Sequence, residues 1–404
     1  MKRMLGYGLA IMIVALASVR SMGNALPAED RLWVEAKING QPVQLIFDTG
    51  TGFFGLYSQT ARRLGLVYTK ADESIKADPG QVILGCTEAC NVQIGTNVLR
   101  ACLGVIELPA ILPNSVDGII GWPNMSNNIL RIEADRGRIT SLNEVPPAAT
   151  DWTQCKLVAG ADVLRLEMKQ PGRAAITIFV DTGNEDGVKL APELWQAWKR
   201  EHAQQPLTMN GYYTESLGLG VTEEGFGEAL PIGALLLHNV PVCAAHKADL
   251  LHGTITFGMA ALKRLDMIVD GKHGVAYLHP KETPPPPYKH NRLGAIFMPL
   301  DLQHEALLAH VAPATPAWEA GIRDGDALLR IGTLDATQWR TDPEVLPLSR
   351  FWSRPAGTKH QLTLRRGPQQ YQVEVVLRDI LTPKNTTPAS PKPSLPLDSL
   401  QLVQ

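Results

Sequence analysis

Several things are scarce in this sequence. Its 404 residues hold five cysteines, its 38 basic and 40 acidic residues cancel to a net charge of −2, and beyond Val19 there is no long apolar run. Each shortage excludes something. A near-neutral balance without a basic stripe or interleaved aromatics gives no reason to expect a nucleic-acid partner or an anionic surface. Without a second apolar run, only the N-terminus can meet a membrane. Cys86, Cys90, Cys102, Cys155 and Cys243 lack the regular Cys/His spacing of a zinc site, so neither a metal nor another cofactor is expected. In an exported chain they permit two disulfides and one free thiol, and Cys86 and Cys90 can close a small loop. The histidines, among them His238, His246, His252 and His273, follow no ligand spacing and read as surface or satisfied polar residues.

What is present begins with Lys2 and Arg3 ahead of an apolar run from Leu5 to Val19, the layout of a secretory signal. The run is short for a membrane span. Either it is cleaved near the small residues of Ala15-Leu16-Ala17 or Gly23-Asn24-Ala25, or it stays as an anchor. The chain is therefore expected to be exported, periplasmic or secreted, with membrane contact only through this segment. Its length and an apolar content of 45% suit two or three globular domains.

The stretch LIFDTGTGFFGL, Leu45–Leu56, runs a strand of apolar residues into an aspartate followed by glycines. A carboxylate at the end of a buried strand is costly, so the position reads as chemistry or as a turn. Asp-Thr-Gly recurs at Asp181–Gly183, where composition alone would give about 0.1 copies in the whole chain. The surroundings recur too. LWVEAKINGQPVQLIFD aligns with LRLEMKQPGRAAITIFVD, an Ile-Gly followed by two strand-like stretches lies downstream of each at Ile94 and Ile232, and each half then reaches an apolar run ending in glycine, at Gly121 and Gly258. This is an internal duplication of about 120 residues and implies two similar β-rich lobes.

Two lobes that present an aspartate at the same station can bring the carboxyls together across a pseudo-twofold axis. Like charges at hydrogen-bond distance cannot both ionise, so the pair shares one proton. One member takes a proton from a water between them, the other protonates a carbonyl oxygen, and an amide is hydrolysed without a covalent intermediate. Gly50 and Gly183 let backbone N–H groups approach the carboxylates. Thr49 and Thr182 supply hydroxyls able to bond across the interface.

These residues resemble the aspartic peptidases of the retropepsin and pepsin type, over roughly residues 30–280. Asp48-Thr49-Gly50 and Asp181-Thr182-Gly183 match the catalytic signature, and IIG at 119–121 and TFG at 256–258 match the second. The resemblance implies a mainly β fold of two pseudo-symmetric β-barrel lobes, with Asp48 and Asp181 catalytic and a hairpin flap closing over an extended polypeptide substrate. The flap candidates are DPGQVILGCTEAC from Asp78, with Val82 and Ile83, and NGYYTESLGLG from Asn210, with Tyr212 and Tyr213. Tyr212 and Tyr213 read equally well as strand residues packed on a sheet. Asn184 stands where the family has Ser, Thr or Ala, and Glu185 and Asp186 place negative charge near the second aspartate, where they either raise the proton affinity of the dyad or face solvent.

Past Leu278, HPKETPPPPY reads as a stiff linker. HVAPATPAWEAGIRDGDALLRIGTLD, from His310, resembles PDZ domains through Ala317, Gly321, Gly325, Asp326, Leu328, Ile331 and Gly332. That resemblance implies a small α+β domain that binds a peptide or a protein C-terminus as an added strand, the terminal carboxylate meeting the loop Leu293-Gly294-Ala295-Ile296. Pro347 is expected in the first turn of a short helix lining the groove. The expected division is 1–25 signal or anchor, 26–148 and 149–280 the lobes, 281–292 the linker, 293–380 the PDZ-like domain and 381–404 a disordered tail. The leading function is an exported aspartic endopeptidase; the alternative is a catalytically inactive pepsin-like protein that binds peptides. A single lobe working as a homodimer is made unnecessary by the duplication.

Overall fold

The computed structural model describes residues 20–21, 31–70, 83–95, 97–107, 116–170, 172–214, 218–282, 288–301, 304–342, 344–345 and 348–381. The chain is mainly β, and among the described residues no helix is long and apolar enough to cross a membrane.

In β1 (Leu32–Ile38) the side chains alternate, with Leu32, Val34, Ala36 and Ile38 buried and Glu35 and Lys37 outside. Asn39 and Gly40, both at positive φ, make the tight turn into β2 (Gln41–Asp48). The end of β2 is buried on both faces, Leu45 and Phe47 in the main core and Ile46 in a side cluster with Tyr57 of β3 (Phe54–Tyr57) and Ile119 of β4 (Gly118–Gly121). β4 runs parallel to β2, setting Gly121 beside Asp48, and antiparallel to β3.

The second half repeats this pairing. β5 (Arg165–Gln170) and β6 (Arg173–Val180) form the hairpin that leads to Asp181. β7 (Val188–Leu190) follows, then the helix Pro192–Glu201, whose Leu194, Trp195, Ala197 and Trp198 face the core. β8 (Thr208–Thr214), β9 (Gly218–Ile232) and β10 (Leu235–Ala244) form a meander. β11 (Ile255–Phe257) then lies parallel to β6 and antiparallel to β7, as β4 does to β2 and β3. The halves join where Ile129–Glu133 pairs with Leu265–Asp270, and one continuous apolar core includes residues of both.

Residues 293–377 build a separate core around Leu293, Phe297, Leu328, Trp352 and Leu364. Its sheet orders β12 (Ala295–Met298), β13 (Leu308–Val311), β14 (Ala327–Ile331), β15 (Lys359–Arg366) and β16 (Gln369–Val376), with β12 at an edge. Thr315 caps the short helix Pro316–Glu319 by accepting from the Trp318 N–H.

The small Cys86–Cys90 loop is not formed, and all five cysteines are free. Strand alternation separates the two: Cys86 is exposed on Ile83–Thr87, whereas Cys90 is buried on Cys90–Ile94 with its Sγ 3.2 Å from the Glu88 carbonyl. Pro347 lies outside the described residues; the short helix that follows it is Ser349–Trp352.

Candidate active site

Asp48 and Asp181 each end an interior strand and turn directly into Thr-Gly. The two turns make matching hydrogen bonds. The Gly50 N–H donates to Asp48 Oδ1 at 2.8 Å, and the Gly183 N–H donates to Asp181 Oδ1 at 3.0 Å. The threonines lock the turns together: Thr49 N–H donates to Thr182 Oγ1 and Thr182 N–H to Thr49 Oγ1, each at 3.0 Å. Each hydroxyl then donates across to the opposite strand, Thr49 to the Val180 carbonyl at 2.7 Å and Thr182 to the Phe47 carbonyl at 2.8 Å. Both threonines are fully buried, so these bonds act where no water competes.

This clamp brings the carboxylates over each other's glycine. A methyl built on Gly50 would lie 2.5 Å from Asp181 Oδ1 and 3.1 Å from Asp48 Oδ1, and one on Gly183 would lie 2.3 Å from Asp48 Oδ2. Only a residue without Cβ leaves room for both acids. Burial, and after it the Asp48 carboxylate, hold the Asp181 carboxyl well above the usual carboxylate range. Its Oδ2 has no hydrogen-bond partner among the described residues. Two adjacent buried carboxyls of this kind can share one proton and polarise a water placed between them.

Asn184 does with an amide what Thr51 does with a hydroxyl. Thr51 Oγ1 accepts the Phe53 N–H at 3.2 Å, and Asn184 Oδ1 accepts the Asp186 N–H at 2.8 Å. Their carbonyls take the N–H groups of Trp122 and Met259, which follow Gly121 and Gly258. The acidic pair after Asn184 neither faces solvent nor stands unneutralised. Glu185 bonds Arg31 of the other half at 2.8 Å, with the two side chains 11% and 3% exposed. Asp186 turns inward to Asn210 and Lys189.

The flap candidates are placed unevenly. Val82 lies outside the described residues. Ile83 is half-buried against a side cluster of Ile46, Tyr57 and Ile106. Tyr212 is half-buried on β8, its ring 3.5 Å from that of His246, and Tyr213 follows on the same strand. Backbone pairing joins Arg20 to Tyr213 and Ser21 to Tyr212, so an extended stretch of the chain lies along the outer edge of β8. Leu293, Gly294, Ala295 and Ile296 enter β12 as a loop whose N–H groups are partly taken: Asn291 Oδ1 accepts from Leu293 at 2.9 Å and from Gly294 at 3.2 Å. The Asn291 amide also donates to the carbonyls of Met209 on β8 and Ala295 on β12, at 3.0 and 2.8 Å. Ile296 reaches β8, where a methyl on Gly211 would lie 2.9 Å from its Cδ1.

Sequence reasoning missed a buried polar group behind Asp181. Lys189, Asp249, Glu224 and His246 are all buried, so His246 is not a surface residue. The one local signal was a lysine inside the apolar strand Val188–Leu190. Burial first, and then Asp186, push the Glu224 carboxyl up to about 8, against the hydrogen bond it accepts from Tyr288 at 2.9 Å. Because that value exceeds the ordinary 4.5, its stabilising contribution is complete below pH 4.5 and is lost as pH rises through 8. Glu224→Gln keeps the acceptor for Tyr288 and removes the titration. Its melting temperature should therefore gain on wild type as pH rises from 5 to about 9; a constant difference across that range would refute the assignment. His246, pushed down to about 2 by burial, loses stability below pH 6.5 in both proteins, so the comparison cancels it.

In this mainly β chain, the part that carries the first of the paired Asp-Thr-Gly turns is similar to retropepsin-like aspartyl proteases. Residues 34–125 match the family model described as "gag-polyprotein putative aspartyl protease". Among solved structures, the retroviral protease-like domain of Ddi1 from Leishmania major is similar at 22% identity, with 29% of this chain and 94% of that one covered and a TM-score of 0.23. No curated protein matches the chain.

Proposed function

We propose that this protein is an exported aspartic endopeptidase in which Asp48 and Asp181 share one proton and hydrolyse peptide bonds through a bound water. The observation that carries this is the crossing of the two carboxylates over Gly50 and Gly183. In the reaction the ionised carboxylate takes a proton from the water as its oxygen attacks the peptide carbon. The protonated partner donates to the carbonyl oxygen, and the tetrahedral intermediate collapses when the leaving nitrogen is protonated. No cofactor is required. The residues 26–148 and 149–280 act as two lobes around an extended substrate, and the pairing of Arg20 and Ser21 with β8 supports a hairpin edge that accepts extended backbone.

In this reading residues 293–380 form a PDZ-like domain that takes a peptide or protein C-terminus on β12 and recruits or regulates polypeptide substrates. Asn291 supports the regulatory role, since a carboxylate at the Leu293 and Gly294 N–H groups competes with the amide that also holds Met209 on the β8 hairpin. The test is a peptide-library digest by wild type and Asp181→Ala, run with and without a short peptide bearing a free, apolar C-terminus. Cleavage by wild type alone, at a rate altered by the added peptide, supports both parts. Equal products from the two proteins would remove the dyad. Absence of cleavage with retained peptide affinity would favour the inactive peptide-binding alternative.

A further inference from the structure

The two aspartates are not backed alike. Behind Asp48, the middle of β3 is Gly55, paired with Ile119. A methyl on Gly55 would lie 2.0 Å from the Phe53 ring, so an aromatic covers the position and itself packs on the cluster of Ile46, Tyr57, Ile106, Val116 and Ile119. At the same station behind Asp181 stands Lys189 on β7, paired with Thr256 and Cys243 and fully buried. Its Nζ lies 3.2 Å from Asp186 Oδ2 and 3.4 Å from Asp249 Oδ2. Lys189 Nζ, Asp249 Oδ1, Asn184 Nδ2 and Thr256 Oγ1 have no hydrogen-bond partner among the described residues. Such a group is a poor way to stabilise a core, because apolar residues of the same volume commonly do as well or better. The first half solves the packing with Phe53 over Gly55 and its strand partner Gly104, so the fold itself does not demand a cation here.

We propose that Lys189 is a positioning residue for the dyad: its ammonium, borne on a strand that β11 alone separates from the one leading to Asp181 and held by Asp186 and Asp249, keeps the proton of that buried acid transferable and sets the pH window in which the pair holds a single proton. The inference rests on the peptidase reading. Burial and Asp48 both favour the protonated form of Asp181; Lys189 works against them, and Asp249 in turn tempers Lys189. The remaining groups on the packed elements contribute little countercharge. Glu185 is matched by Arg31, Glu224 is bonded to Tyr288, and burial keeps His246 neutral and raises the Cys243 thiol.

The test is the pH–rate profile of Lys189→Met and Asp249→Asn on one peptide that wild type cleaves. Removing the cation should move both limbs up, on the order of one pH unit while Asp249 stays ionised and by less if Asp249 takes up a proton. Removing the anion should move both limbs down by a similar amount. The Asp249→Asn change keeps an acceptor for the His246 N–H, which Asp249 Oδ2 holds at 2.9 Å, so this variant reads out even if Lys189→Met does not fold. A purely structural cluster would lower thermal stability in both variants with unshifted limbs, and that result, or shifts of the same sign, overturns the proposal. Loss of the fold in both assigns the cluster to structure and overturns it as well. A wild type without peptidase activity is the separate failure of the reading beneath it.

Discussion

Asp48→Asn should reduce peptide cleavage by about 10³-fold or more while leaving the protein folded and its affinity for peptides intact. The loss follows from chemistry: an amide cannot accept the proton of the attacking water, and acid–base contributions of this kind are worth 10²–10⁴-fold. The preserved fold follows from geometry. The oxygen of the introduced amide can still accept the Gly50 N–H that Asp48 accepts at 2.8 Å, and the threonine clamp is untouched. Stability should if anything increase near neutral pH, because the change removes one of two carboxylates that compete for the same space. Rate and melting temperature measured on one preparation decide the matter. A fall in rate accompanied by unfolding would mean that Asp48 serves structure, and an unchanged rate would remove it from catalysis.

The second large effect concerns the clamp. Thr182→Val keeps shape and removes the hydroxyl that accepts from Thr49 N–H and donates to the Phe47 carbonyl. Both partners are then stranded where Thr49 and Phe47 are fully buried. An unsatisfied buried polar group costs about 1–3 kcal/mol, so two give an expected loss of about 2–6 kcal/mol of unfolding free energy, and Thr182→Ser, which keeps the hydroxyl, should lose much less. Cleavage should fall as well, since the clamp sets the spacing of the two acids. Urea unfolding measures the cost, and a loss below about 1 kcal/mol would show that the two turns are held together elsewhere, for example by the Arg31–Glu185 ion pair.

Much of this site could be read before any coordinates because its signals are local. A strand that alternates, a small turn and an Asp-Thr-Gly at the end of the next strand all lie within the 19 residues 32–50, and the duplication repeats them in the second half. Asn184 looked foreign at its position because a residue name does not say which atom is used; its amide oxygen makes the bond that the Thr51 hydroxyl makes. Glu185 and Asp186 looked alike and went opposite ways. The first turned to Arg31, 154 positions back, and the second to a lysine on the next strand.

By itself the sequence determined the doubled strand–Asp-Thr-Gly unit and the existence of two equivalent acids, since period-two burial and turn chemistry depend on neighbours along the chain. Tertiary structure alone decided which charges met. It buried Lys189 between Asp186 and Asp249, tied Asn291 to both the β8 hairpin and the β12 loop, and left the cysteines unpaired. The reason is that the cost of a buried charge or an unmatched amide is set by whatever folds against it, from strands far away in sequence.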